Sequence, residues 1–181
     1  MAYKNSVFLN IPFDKAYKPL LEAAVFAIYD LIAESKYGIH DISRVGLDHK
    51  NRLPRFNMPL ELGLWLGAKR YGNKNDRSKR ALVLDRLDHR FKIFCSDISG
   101  QDIRSHQNNP TIVIQRVRNW LRNSPDYKNV AFPGPEKMTA RYEQFRAQLP
   151  VQCKNNHLNP KKLEFNDYCI LVAGWLKANP K

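Results

Sequence analysis

Short apolar segments alternate with helical patterns in the first half of the chain. The residue pattern predicts strands at 6–10, 37–42 and 81–84, and the third strand ends at Asp85. Each segment is a brief run rich in β-branched, aromatic or aliphatic residues, bounded by proline or polar residues. Pro12 ends the first strand, because proline has no N–H to donate to a neighbouring strand.

Apolar residues at helical spacing separate these strands. One helix is predicted from Pro19 through Leu31 and another from Pro59, after a polar loop at 44–56. Proline is well tolerated in the first turn of a helix. Alternating strands and helices with continuously apolar strands predict an α/β fold, in which a parallel sheet carries helices on both faces.

The second half of the chain has a helical pattern. A short helix is predicted at 90–98, a clearer one at 111–122, and two amphipathic helices at 135–149 and 165–177. A connector at 125–135 contains proline and glycine. We therefore predict two domains, an α/β core at 1–106 and a helical extension at 107–181 that packs on the core rather than forming a separate binding module.

Composition is typical of a globular protein, with 43% hydrophobic and 26% charged residues among 181. No apolar run has the length of a membrane span, and residues 1–5 lead directly into the first strand without a secretory pattern. These features predict a cytoplasmic protein with no membrane partner. Cys95, Cys153 and Cys169 are too widely spaced to predict a disulfide framework or a metal site, and the five histidines have no metal-ligand spacing.

Net charge is +13, spread along the chain, and it favours anionic partners such as dinucleotides, RNA, DNA or acidic proteins without selecting among them. The densest basic run lies at 69–80. We interpret that run as a solvated loop, with a phosphate-binding surface as the alternative.

Polar residues follow each predicted strand. Ligands of parallel α/β sheets bind outside the carboxyl ends of the strands. The segment 10–14, the segment 41–44, the helix that carries Glu61, and Asp85 are therefore predicted to line one crevice. No glycine-rich phosphate loop is present in the sequence.

Three of these segments together resemble a known group of proteins. They are VFLNIPFD at 7–14, YGIHDIS at 37–43 and NMPLELG at 57–63. The set is similar to the TIR-like and nucleoside 2-deoxyribosyltransferase-like bacterial proteins, in which a strand ends in Asp-[Ile/Leu]-Ser and a helix then opens with Glu-Leu-Gly. The resemblance covers residues 6–106, including SDISGQDI at 96–103. It implies a flavodoxin-like fold.

One segment of that group is missing from this sequence. Members carry a further strand and helix after the first helix, whereas here Asp30 leads almost directly to the strand at 37–42. The family's second strand is therefore expected to be absent.

The resemblance implies chemistry at an anomeric carbon. Glu61 matches the family's catalytic carboxylate, which supports positive charge at C1 of a ribosyl group or attacks it. Nicotinamide leaves as an already cationic pyridinium and needs no acid, so NAD would be a substrate and not a cofactor. A neutral nucleobase needs a proton donor, for which Asp41, Asp97 and Asp102 are candidates.

Each predicted site residue also has a structural alternative. Glu61 can stabilise the positive end of its helix, Trp65 is favoured as a core residue, Asp41 can cap the loop at Ser43, and His40 is favoured as a core histidine. The predicted substrate-binding residues are Asn10, Phe13, Asp14, Asp41, Ser43, Asn57, Trp65 and Asp85.

The sequence leaves three functions open. The first is a TIR-like NAD glycohydrolase, implied to be a bacterial defence or stress effector that acts through self-association or an activating partner. The second is a nucleoside 2-deoxyribosyltransferase-like N-glycosidase. The third is a nucleotide- or nucleic-acid-binding module without turnover, favoured by the net charge of +13.

Overall fold

The computed structural model describes residues 4–10, 32, 34–47 and 52–180, and for 4–10 the backbone alone. The chain forms two compact units, Met1–Trp120 and Leu121–Lys181. The strands of the first unit are β1 (Lys4–Asn10), β2 (Ser35–Asp41), β3 (Arg80–Asp85) and β4 (Ile103–Ser105). The helices are α1 (Asn57–Tyr71), α2 (Pro110–Arg122), α3 (Pro135–Asn155) and α4 (Phe165–Ala178).

The four strands form one parallel sheet in the order β1-β2-β3-β4. The predicted α/β fold with a parallel sheet is confirmed. A flavodoxin-like sheet has the order 2-1-3-4-5, and removing its strand 2 leaves the order found in the described residues. The order of the described strands is thus consistent with a flavodoxin-like fold, and the absence of the family's second strand stays a prediction.

Helices lie on both faces of the sheet, because successive side chains of β2 point to opposite faces. Trp65 of α1 contacts the face that carries Gly38 and His40. On the other face, the ring of Trp120 in α2 meets the ring of Tyr37 edge-on, with centroids 5.7 Å apart. The apolar residues of both faces of β2 are therefore covered, as its near-continuous apolar sequence predicted.

Trp65 packs directly on the backbone of β2 and is fully buried. A Cβ added to Gly38 would lie 3.0 Å from the Trp65 ring and 2.7 Å from Nε2 of His40. Glycine at position 38 is what lets the indole come this close. The core-packing role that the sequence favoured for Trp65 and His40 is confirmed.

Lys79 is buried at the amino end of the sheet, where β2 and β3 begin. Its Nζ donates to the main-chain oxygens of Ile32 at 2.7 Å and Ser35 at 2.8 Å, and lies 3.4 Å from Asp76. The ammonium also sits 5.1 Å from the centroid of the Trp65 ring. Burial lowers the pKa of Lys79, while the hydrogen bond and charge of Asp76 act in the opposite direction. One cation thus joins the starts of β2 and β3 to the core.

The structure differs from the predicted elements in three places. β4 was not predicted, since Ile103 is its one strongly apolar residue, and its pairing with β3 makes it a strand. The predicted helix at 90–98 is instead two 3-10 turns, Arg90–Ile93 and Ser96–Ile98. The helix predicted to end at 149 continues through Pro150 to Asn155, where burial of Cys153 favours the added turn. The helix predicted from Pro19 falls outside the described residues.

The second unit is built on the two helices α3 and α4. Their shared core contains four buried side chains, Phe145, Cys153, Leu171 and Trp175. Nε1 of Trp175 donates to Oε1 of Gln148 at 2.7 Å, so the indole N–H of this core is paired. The first unit extends through Trp120 and includes most of α2. Whether the extension packs on the α/β core stays a prediction.

Gly38→Ala is expected to lower the free energy of unfolding by about 1–3 kcal/mol, because the new methyl group collides with Trp65 and His40. Urea denaturation followed by tryptophan fluorescence measures the change. Gly63→Ala is the matched control, since its added Cβ meets nothing within 4 Å and it lies in α1. That control should be neutral or stabilising by up to about 1 kcal/mol. Equal stability of the two variants would contradict the packing account.

Burial lowers the pKa of His40 from 6.5 to about 4. The unfolded chain therefore takes up this proton first, and the stability that His40 contributes is complete above pH 6.5 and is lost as the pH falls towards 4. The full loss is about 3 kcal/mol. His40→Gln, which cannot titrate, should flatten the dependence of unfolding free energy on pH between 7 and 4. An unchanged pH dependence in this variant would contradict the assignment.

Candidate functional site

The carboxyl ends of β2, β3 and β4 form one edge of the sheet, which we call the carboxyl edge. Asp41 ends β2, Asp85 ends β3, and His106 follows directly after β4. Helix α1 begins at the same edge, since Met58 in its first turn packs with Ile42. Four chain segments thus bring polar side chains to the edge where parallel sheets bind ligands.

Glu61 lies on α1 near this edge. It is half-buried, and the next residue, Leu62, packs with Ile42 of the β2 end. The predicted helix start at Pro59, which would place Glu61 in the first helical turn, was wrong. The helix begins at Asn57, its first turn contains no acidic residue, and no side chain caps it. Glu61 therefore does not act as a first-turn carboxylate, and the helix-end explanation of this residue loses its basis.

Asp41 is held by the loop that follows it. Its Oδ1 accepts the main-chain N–H of Ser43 at 2.9 Å, which is the loop-capping contact the sequence left open. The same oxygen lies 3.6 Å from Nε2 of His106. The Asp41 side chain remains 24% exposed, so this carboxylate can still accept a hydrogen bond from a ligand.

His106 is buried, and its hydrogen bonding defines its tautomer. Nδ1 accepts the main-chain N–H of Asn108 at 3.0 Å, so the proton of the neutral ring is on Nε2. That N–H has no hydrogen-bond partner among the residues that the structure describes, and it faces Asp41 across 3.6 Å. The main-chain N–H of His106 donates to the oxygen of Asp85 at 2.9 Å, which fixes the residue over the end of β3. The imidazole is thus arranged as a hydrogen-bond donor towards the Asp41 carboxylate.

Asp85 is fully buried and is paired with Arg90. Nε of Arg90 donates to Oδ1 of Asp85 at 2.9 Å, and Nη2 donates both to this oxygen and, at 2.9 Å, to the main-chain oxygen of Ile42. The guanidinium therefore ties the end of β3 to the end of β2. Oδ2 of Asp85 is buried, and no described residue forms a hydrogen bond with it. Asp85 serves to hold the edge together, because a fully buried carboxylate offers no surface to a ligand.

Only some of the other predicted site residues lie at the carboxyl edge. Asn10 ends β1 and pairs in register with His40. Asn57 is exposed at the start of α1, whereas Trp65 is buried in the core. Phe13 and Asp14 fall outside the described residues. Phe56, immediately before α1, is 68% exposed and places an aromatic ring at the carboxyl edge.

The two alternative proton donors lie in exposed positions. Asp97 is exposed in a 3-10 turn, and Asp102 forms an ion pair with Arg104 at 2.6 Å. Of the three candidate acids, Asp41 is the one that faces a histidine.

Sequence reasoning missed His106, Arg90 and the burial of Lys79. The helical interpretation of 90–98 hid the loop in which Arg90 turns back to Asp85, and the unpredicted β4 hid the strand end at His106. A short Ile-Arg-Ser strand followed by His was the available signal. Lys79 belongs to the basic run interpreted as solvated, and it is the member that the core encloses.

The described residues contain no group of three His, Cys, Asp or Glu side chains able to hold a metal ion. In the same part of the chain, every helix is too short or too polar to traverse a lipid bilayer. Comparison with protein-family models, curated proteins and solved structures finds no match for this chain.

Arg90→Met should destabilise the first unit by about 3–5 kcal/mol, because it leaves the buried Asp85 carboxylate without a countercharge. Adding Asp85→Asn to Arg90→Met removes that charge and should recover part of the loss. Urea denaturation of the two single variants, the double variant and the exposed control Lys92→Met measures these changes. A double variant as unstable as the sum of the two single variants would contradict the pairing.

Proposed function

We propose that this protein is a TIR-like N-glycosidase that hydrolyses the bond between nicotinamide and ribose in NAD, with Glu61 at the anomeric carbon. The observation that carries the proposal is the position of Glu61. It lies past the first turn of α1, beside Leu62, whose side chain packs at the end of β2. The motif resemblance at 7–14, 37–43 and 57–63 supports the same assignment.

The reaction requires little acid chemistry from the protein. When the bond between C1 of the ribose and the pyridinium nitrogen breaks, nicotinamide leaves with the electron pair and becomes neutral. Positive charge develops at C1, and a carboxylate next to it lowers the energy of that state. Water then adds to C1 and loses a proton, giving ADP-ribose, nicotinamide and one proton. Glu61 is the residue proposed to supply the negative charge.

Asp41 and Phe56 are the proposed binding residues at the same edge. The carboxylate of Asp41 accepts hydrogen bonds and is partly exposed, so ribose hydroxyls are suitable donors to it. Phe56 has an exposed ring, on which a planar pyridinium or adenine can stack. Neither residue needs to change protonation state for nicotinamide to leave.

A nucleoside N-glycosidase is the second candidate, and the contact between Asp41 and His106 favours it. A neutral nucleobase leaves readily only when a proton is transferred to it. The N–H of His106 facing Asp41 at 3.6 Å resembles an acid–base pair that tightens when substrate binds. This candidate uses the same Glu61 but predicts a different substrate.

Glu61→Gln is expected to reduce nicotinamide release from NAD by about 10²-fold or more, because the amide removes the negative charge next to C1 while keeping the side-chain shape. Chromatography of products after incubation with NAD measures this. The matched control is Glu136→Gln, an exposed residue of α3. The same chromatography with purine and pyrimidine deoxynucleosides tests the second candidate.

The outcomes separate the three functions. Nicotinamide release that survives Glu61→Gln would refute the role of Glu61. Base release without nicotinamide release would favour the nucleoside N-glycosidase. Absence of any product, together with salt-sensitive binding of RNA or DNA, would leave the binding module. The oligomeric state is measured in the same samples, so that an inactive monomer is distinguished from an inactive assembly.

A further inference from the structure

Helix α4 has an apolar face directed away from the core of its own unit. Leu171 and Trp175 are buried against α3, and the opposite side of the helix is exposed. That side carries Ile170, which is 69% exposed, and Leu176, which is 49% exposed. A surface helix normally places polar residues there. We call this side, made of Cys169, Ile170, Ala173, Gly174 and Leu176, the outer face of α4.

Small residues make this face accessible to another backbone. An atom added at the Cβ position of Gly174 meets no atom of the described residues within 4 Å, so they leave the space above the helix open at that point. Ile170 lies one turn before Gly174 and projects a large side chain from the same side. The large side chain of Ile170, which we call the knob, and the open space at Gly174, which we call the gap, thus lie one helical turn apart.

The two ends of the outer face carry opposite charges. Asp167 lies in the first turn of α4 and Lys177 in the last. Neither side chain forms an ion pair with any residue that the structure describes. These are the only two charged residues between 165 and 178, so the helix is neutral on a chain of net charge +13.

We propose that the outer face of α4 binds the same face of a second copy of this chain in an antiparallel, two-fold symmetric pair. In an antiparallel pair with Ile170 opposite Gly174, the same register places Asp167 opposite Lys177. Symmetry repeats both contacts, so each copy contributes one knob, one gap and both charges. A parallel pair would instead place Asp167 against Asp167 and Lys177 against Lys177.

The charge pattern selects a second copy over an unrelated acidic partner. An acidic partner attracted by the net charge of +13 would bind a basic surface, whereas the outer face has no net charge. Its acidic and basic ends match those of an identical face that runs in the opposite direction. A pair of helices this short buries less than the 1,200–2,000 Å² of a standard interface, so we expect dimerisation at roughly 10–100 µM.

Sedimentation equilibrium of the full chain tests the proposal. The mass should rise from 21.1 kDa towards twice that value over the stated concentration range. Asp167→Lys and Lys177→Asp should each weaken dimerisation by about tenfold, because two attractive pairs become two repulsive ones. The double variant Asp167→Lys/Lys177→Asp should restore it. Glu143→Lys, on the exposed surface of α3, is the matched control and should change nothing.

Ile170→Lys should abolish dimerisation by placing charge at the centre of the face. Far-ultraviolet circular dichroism of every variant verifies that α3 and α4 remain folded. A wild-type chain that is monomeric throughout the range would overturn the proposal, as would folded single variants that dimerise normally. Failure of the double variant to recover would overturn the antiparallel register.

Discussion

Packing of Trp65 on the backbone of β2 is the contact on which the first unit depends. The ring lies over Gly38, meets His40 edge-on with centroids 5.3 Å apart, and is bordered by the Lys79 ammonium. Buried aromatic area is a large favourable term in folding, and it is gained here only because position 38 has no side chain. The same contact fixes α1 along β2. It thereby sets where Glu61 stands relative to the end of that strand.

The amino end of the sheet contributes to stability, whereas the carboxyl edge carries the candidate site. At the amino end, Lys79 satisfies main-chain oxygens of Ile32 and Ser35 and is fully enclosed. At the carboxyl edge, the Asp85 carboxylate is also fully buried, whereas that of Asp41 is 24% exposed. Asp85 and Arg90 hold two strand ends together, while Asp41 keeps exposed surface beside His106. A parallel sheet favours this arrangement, because loops at its carboxyl edge can vary without disturbing strand pairing.

Much of the site could be predicted, because it follows local rules. A strand that ends in Asp and a helix that begins shortly afterwards place Asp41 and the Glu61 helix at one edge in any parallel sheet. Residue-level roles could not be assigned in this way. The sequence pattern predicts a helix from Pro59, whereas the helix begins at Asn57, and this shift of two positions moves Glu61 out of the first turn. Helix ends depend on tertiary contacts, which propensity does not contain.

The amino-acid sequence by itself determined the α/β class, three of the four strands, the helix that follows β2, and the presence of Asp41, Asp85 and Glu61 near one edge. Hydrophobic periodicity carries that information because each strand and helix must bury an apolar face. Only the tertiary structure decided that Ile103–Ser105 is a strand, that His106 reaches Asp41, that Arg90 neutralises Asp85, and that Lys79 is a core residue. Three of these depend on residues distant in sequence, whose hydrogen bonds and charges meet only once the chain has folded. The pair of Asp85 and Arg90 lies within one loop, and it was hidden because that loop was predicted to be a helix.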